Sequence, residues 1–132
     1  MKIYVFGNQN IPDDNLAFKV AEKLSHLPNI EYIFVKPNAD LPFVDETHVV
    51  ILDTVQGIKQ VTLIDQTQLD KLIVNRGVTA HDYDLGFQLK YLMKLGKLSK
   101  VSIVGLPQSG ELDYDLIQSI LRKLVEQDMQ GS

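Results

Sequence analysis

Three side chains in this 132-residue sequence have the types and order to do chemistry together: Asp14, Asp53 and His81. Asp14 belongs to the stretch Phe6-Gly7-Asn8-Gln9-Asn10-Ile11-Pro12-Asp13-Asp14-Asn15-Leu16. That stretch begins where the apolar run Ile3-Tyr4-Val5-Phe6 stops, and it ends where the helical pattern of Leu16, Val20, Ala21 and Leu24 starts. It reads as a strand-to-helix loop, the place where α/β folds put their sites. A glycine-rich loop would offer backbone N–H groups to a phosphate. This one has a single glycine and two carboxylates, so it would repel an anion and could hold a cation.

Asp53 directly follows the apolar Val49-Val50-Ile51-Leu52 and is expected to terminate a buried strand. His81 sits in Thr79-Ala80-His81-Asp82, a helix start with its capping residue and acidic partner. In an open α/β fold all three positions could face the crevice at the carboxyl edge of the sheet. Two carboxylates and a neutral imidazole suit a borderline divalent ion such as nickel or zinc, with positions left open to water or substrate. Such an ion polarises a carbonyl and lowers the pKa of its water, permitting amide hydrolysis without a serine or cysteine nucleophile. Each residue also has a plainer reading. Asp13 and Asp14 could cap the helix that follows, Asp53 could form a turn with Thr54, and His81 could be a surface histidine. His26 and His48 read as structural, the first in a polar helix end and the second at the start of a strand, far from the crevice.

The elements that must position these residues follow from periodicity. Lys2 to Phe6 is a strand, Asp14 to Leu27 a helix, Ile30 to Val35 a second strand, and His48 to Leu52 a third, central one. Between Gly57 and Thr79 the pattern weakens. Gln60 to Ile64 and Leu72 to Val74 could each be strands, one of them antiparallel at a sheet edge. A helix runs from Thr79 to Gly96, a strand from Lys100 to Gly105, a loop from Pro107 to Gly110, and a last amphipathic helix from about Leu112 to Gln127. The order argues for a three-layer α/β/α sandwich on a mostly parallel, twisted sheet of about five strands.

Composition sets the limits. The length and 45% hydrophobic content suit one domain over residues 1–130, with Gly131-Ser132 reading as an expression remnant. A net charge of -4 with scattered Lys and Arg gives no footprint for nucleic acid, and no apolar run is long enough to span a membrane. With no cysteine there is neither a disulfide nor a thiolate ligand, which fits a cytoplasmic chain. A single copy is expected to act alone.

Taken together, the residues resemble the maturation endopeptidases of nickel-iron hydrogenases. Gly7-Asn8 followed by Asp13-Asp14 is similar to that family's opening. Val49-Val50-Ile51-Leu52-Asp53-Thr54 with Gly57 is similar to its second ligand strand, and Thr79-Ala80-His81 to its third. Ala17 stands where the family usually has a glycine, Lys59-Gln60-Val61-Thr62 where it tends to have a Pro-Gly turn, and the chain is shorter than typical members. The resemblance implies a peptidase that removes a C-terminal extension from the precursor of a hydrogenase large subunit. Asp14, Asp53 and His81 would be metal ligands and catalytic residues. Nickel would be carried by the substrate, with no organic cofactor. Two other readings stand beside it: a receiver-like domain with Asp53 as magnesium-dependent phosphoacceptor, and a paralogue that binds such a precursor without cutting it.

Overall fold

A computed structural model describes residues 1–7, 15–35, 46, 48–55, 57–69, 88–108 and 111–130. In chain order these form β1 (Lys2–Val5), α1 (Leu16–Lys23), β2 (Glu31–Phe34), β3 (His48–Val55) and β4 (Thr62–Asp65). A 3-10 turn (Gln66–Gln68) follows, then helix α2 (residues 88–94), β5 (Lys100–Pro107) and α3 (Tyr114–Gln130). The strands make one sheet in the order β2-β1-β3-β5-β4. β1, β2, β3 and β5 are parallel, and β4 runs antiparallel along β5. The central third strand and the antiparallel edge near residues 60–64 are as the periodicity predicts.

The two faces of the sheet follow from the two-residue alternation of strand side chains. On the first face Ile3, Val5, Val50, Leu52, Val104 and Leu106 pack against Ala17, Val20 and Ala21 of α1 and Ile117, Leu121 and Leu124 of α3. On the second, Tyr4, Phe6, Val49, Ile51, Val55, Val101 and Ile103 pack with Leu69, Leu89 and Leu98, and Leu92 and Met93 of α2 border them. Helices thus cover both faces, which explains why β3 and β5 are apolar almost throughout rather than alternating.

Boundaries differ from those predicted in several elements, α1, β3 and β5 among them. α1 begins at Leu16 and closes at Lys23, and the residues up to Pro28 form turns. The left-handed Asn29, at φ 65°, then redirects the chain into β2. β3 does not stop at Asp53 but continues through Thr54 and Val55. β5 likewise continues past Gly105 to Pro107. The cause is shared: β3 and β5 pair continuously from His48↔Lys100 to Val55↔Pro107, so each holds the other extended beyond a residue that looks like a terminator. At the far end of α2 the sequence signal is sufficient. Gly96 takes φ 75°, its N–H reaching Met93 O at 3.0 Å and that of Lys97 reaching Leu92 O at 3.0 Å. These two bonds satisfy the last carbonyls of the helix. The expected strand at Leu72 to Val74 lies outside the described residues.

At the amino edge of the sheet, His48 Nε2 lies 3.2 Å from Ser102 Oγ on the neighbouring strand. Burial, aided by Lys100 and opposed by Asp128, holds the imidazole below its ordinary value of 6.5. A base depressed in the folded state binds fewer protons there than in the unfolded chain. Its contribution is therefore intact above pH 6.5 and declines as pH falls through and below that value. Urea midpoints taken from pH 7.5 downward should fall more steeply for the wild type than for His48→Gln, with the two curves parallel at the alkaline end.

Candidate functional site

The carboxyl edge of the sheet is where the chain reverses its order. From β1 the chain passes to β2 on one side and re-enters the sheet at β3 on the other, so the switch point lies between β1 and β3. Ligands of open α/β sheets bind at such a point, where neighbouring loops diverge and leave a crevice. Asp53 stands beside it, near the end of β3. Alternation from Ile51 and Val55 puts its side chain on the second face.

Strand register places its neighbours. Phe6 N–H donates to Leu52 O at 3.0 Å, which aligns Phe6 with Asp53 on one flank. Gly105 pairs with Asp53 on the other flank, and Thr62 pairs with Gly105 in turn. The result is a lateral row of Phe6, Asp53, Gly105 and Thr62 across four strands. Asp53 is 0% exposed. Its Oδ1 accepts the N–H of Thr54 at 2.8 Å, a bond that sets the carboxylate plane from within the strand. Burying a carboxylate is expensive unless it is hydrogen-bonded or paired, and a strand position with only a packing task would hold Val or Ile at no such cost. Asp53, Thr54 and Ser102 are the buried polar or charged residues of the described core, and only Asp53 is ionisable.

The opposite face of the same edge is also polar. Thr54 Oγ1 and Asn15 Oδ1, the latter at the N-cap of α1, are buried without hydrogen-bond partners among the described residues. Asn15 makes no side-chain cap, although its residue type suits one. Orphaned buried polar atoms are uncommon and gather where a fold is not optimised for stability alone.

One pleat away on the second face, the Tyr4 hydroxyl donates to Glu46 Oε2. Burial, with the adjacent Glu46 carboxylate, pushes the phenol well above its ordinary range. Tyr4 therefore stays a protonated donor and pins Glu46, just before β3, to the sheet.

Of the three residues singled out from sequence, Asp53 is thus buried at the expected edge. Asp14 and His81 lie outside the described residues, as does Asp13. Among the described residues no group of three or more His, Cys, Asp or Glu is placed to hold a metal ion. Sequence reasoning missed the partners that shape the surroundings of Asp53: the Thr54 amide, Phe6 and Gly105. Gly105 left a trace, since a glycine inside an apolar strand run often marks a close approach. A Cβ there would meet Val55 Cγ2 at 3.0 Å, Ile58 Cδ1 at 3.3 Å and Thr62 O at 3.3 Å. Gly105→Ala should therefore destabilise the protein by about 1–3 kcal/mol, the usual range for overpacking a core. A urea midpoint equal to that of the wild type would show that Val55 and Ile58 can yield.

The described architecture is that of an α/β sandwich, and solved structures with this fold include maturation proteases. The hydrogenase maturating endopeptidase HybD from E. coli superposes with a TM-score of 0.61 at 19% identity, over 99% of this chain and 91% of that one. An endopeptidase from Escherichia coli, solved in solution, gives 0.62 at 17% identity over 96% and 89%. The [NiFe] hydrogenase maturation protease HybD from Thermococcus kodakarensis gives 0.56 at 19% identity over 98% of both chains. No protein-family model and no curated protein matches the sequence.

Proposed function

We propose that this chain is an endopeptidase that removes a C-terminal extension from the nickel-loaded precursor of a nickel-iron hydrogenase large subunit. The observation that carries the reading is Asp53: an ionisable side chain 0% exposed in the central strand, beside the switch point. It is supported by the likeness of fold to hydrogenase maturation proteases over nearly the whole of both chains.

In this proposal Asp14, Asp53 and His81 supply two oxygens and one nitrogen to nickel that arrives on the substrate. No organic cofactor takes part. Since Asp53 is enclosed, the ion reaches it by delivery with the docked precursor rather than by capture from solvent. Enclosure helps the chemistry, because a charge held in a water-poor site acts more strongly on a developing oxyanion than one in water. The residues fix the ion against the scissile carbonyl, and that positioning accounts for a large part of the rate. The attacking water gives its proton to one of the two carboxylates, or to solvent once the ion has lowered its pKa. Among the described residues no helix is long and apolar enough to cross a membrane.

The test is direct. Purified protein is incubated with nickel-loaded and with nickel-free precursor, and the mass of the precursor is followed. Loss of the C-terminal peptide from the loaded form alone is the expected result. An unchanged mass in both, with a folded protein and a known protease cleaving the same preparation, removes the proposal.

A further inference from the structure

Helix α2, which borders the second core, combines basic charge with apolar surface on its outer side. Basic residues are spread along the whole chain, but from residue 85 to residue 110 there are Lys90, Lys94, Lys97 and Lys100 and no Asp or Glu. The chain carries -4 overall, so this stretch is opposite in sign to the protein that bears it. Its lysines are exposed. Cations in the last turn of a helix complement the helix dipole, which accounts for Lys94 and Lys97. The dipole does not account for the side chains beside them.

Tyr91 is 63% exposed and Leu95 50% exposed. Four residues apart on a helix, they are neighbours on one face. At about 100° per residue, both lie on the side of α2 away from Leu89, which is 0% exposed in the second core. Leu89 and, beyond the helix end, Leu98 anchor the segment in that core, and the bonds from Gly96 and Lys97 fix the last turn. Tyr91 and Leu95 cannot turn inward without undoing this packing. A single exposed leucine needs no explanation. An aromatic and an aliphatic side chain set together on the outward face and rimmed by lysines have the apolar centre and polar border of a contact surface.

We propose that the outer face of α2, with the turn leading to Lys100, docks an acidic segment of a partner protein that carries apolar side chains among its carboxylates. The apolar side chains cover Tyr91 and Leu95, and the carboxylates meet Lys94 and Lys97. Charge complementarity selects this occupant. The same face of a second copy would oppose lysine to lysine, which is unfavourable. A lipid surface calls for a long continuous apolar helix face, and here Leu89 and Leu98 are committed to the core. Nucleic acid is poorly matched by an acidic chain whose basic stretch contains no arginine. Charges at the rim of a contact set its register and rate of encounter more than its strength. The contact is therefore weak and sensitive to salt, as suits a transient partner. Nothing in it rests on the reaction assigned to Asp53.

The test uses the full chain and a fluorescently labelled glutamate–tyrosine copolymer, followed by anisotropy. The copolymer should bind at low salt and be released as salt is raised. Lys94→Gln/Lys97→Gln should weaken binding about tenfold, the loss of two favourable ion pairs. Tyr91→Gln/Leu95→Gln should weaken it by a similar factor while leaving the salt dependence unchanged, because no charge is removed. Lys19→Gln/Lys123→Gln removes the same charge from exposed positions on α1 and α3 and should leave affinity as it was. All six positions are exposed, so urea midpoints should stay close to that of the wild type. No binding of the copolymer overturns the proposal. So does equal weakening by the α1/α3 variant, which would mean attraction by net charge alone. Polyglutamate binding as tightly as the copolymer, with no response to Tyr91→Gln/Leu95→Gln, overturns it too, as does tighter binding to phosphatidylserine vesicles or duplex DNA.

Discussion

Asp53→Asn abolishes cleavage of the nickel-loaded precursor and leaves the protein folded: that is the expected result for the residue on which the proposed function rests. Asparagine has nearly the same shape and retains an oxygen to accept the Thr54 N–H, now made at 2.8 Å. What it lacks is charge. A neutral amide is a poor partner for a divalent ion, and its NH2 presents a donor where a lone pair is needed. Removing a carboxylate that acts in the reaction costs about 10²–10⁴-fold in rate. Stability should change far less, since the variant no longer buries a charge and keeps the hydrogen bond inside the strand. The readings are the initial rate of peptide release and the urea midpoint, on the same preparations. Cleavage at the wild-type rate removes Asp53 from the mechanism. Equal loss of activity and of folding would make it a structural residue.

The second large effect is expected two residues earlier. Ile51 is 0% exposed, points to the same face of β3 as Asp53, and is flanked by Tyr4 on β1 and Ile103 on β5. Truncation to alanine opens a cavity that fixed neighbouring strands cannot close, so Ile51→Ala should cost about 2–5 kcal/mol. Against a usual total of about 5–15 kcal/mol, this is a large share of the stability of the domain. The denaturation midpoint should fall with its slope unchanged. Activity per folded molecule should be kept well below the melting temperature, since no charged or hydrogen-bonding group has been removed. Asp53→Asn and Ile51→Ala therefore separate chemistry from support on one strand face. Loss of activity in a fully folded Ile51→Ala protein would mean that Asp53 depends on this packing for its orientation.

The sequence by itself determined the elements and their approximate order. Apolar runs long enough for strands, helical stripes such as that of α3, and the glycine closing α2 are local signals, read from a few neighbouring residues. The same signals marked Asp53 as an acid at the mouth of the sheet. They misjudged where β3 and β5 end, because Asp53 and Gly105 resemble terminators when each strand is considered alone. Asp14 and His81 remain readings of the sequence, since they lie outside the described residues.

Only the tertiary structure decided that Asp53 lies inside its strand rather than after it. The reason is long-range pairing: β3 and β5, dozens of residues apart, hold each other extended to Val55 and Pro107. Register, which no local pattern specifies, puts Phe6 on one side of the carboxylate and a glycine on the other. Periodicity told which residues could be buried. The contacts that close around Asp53 are made only when distant segments meet.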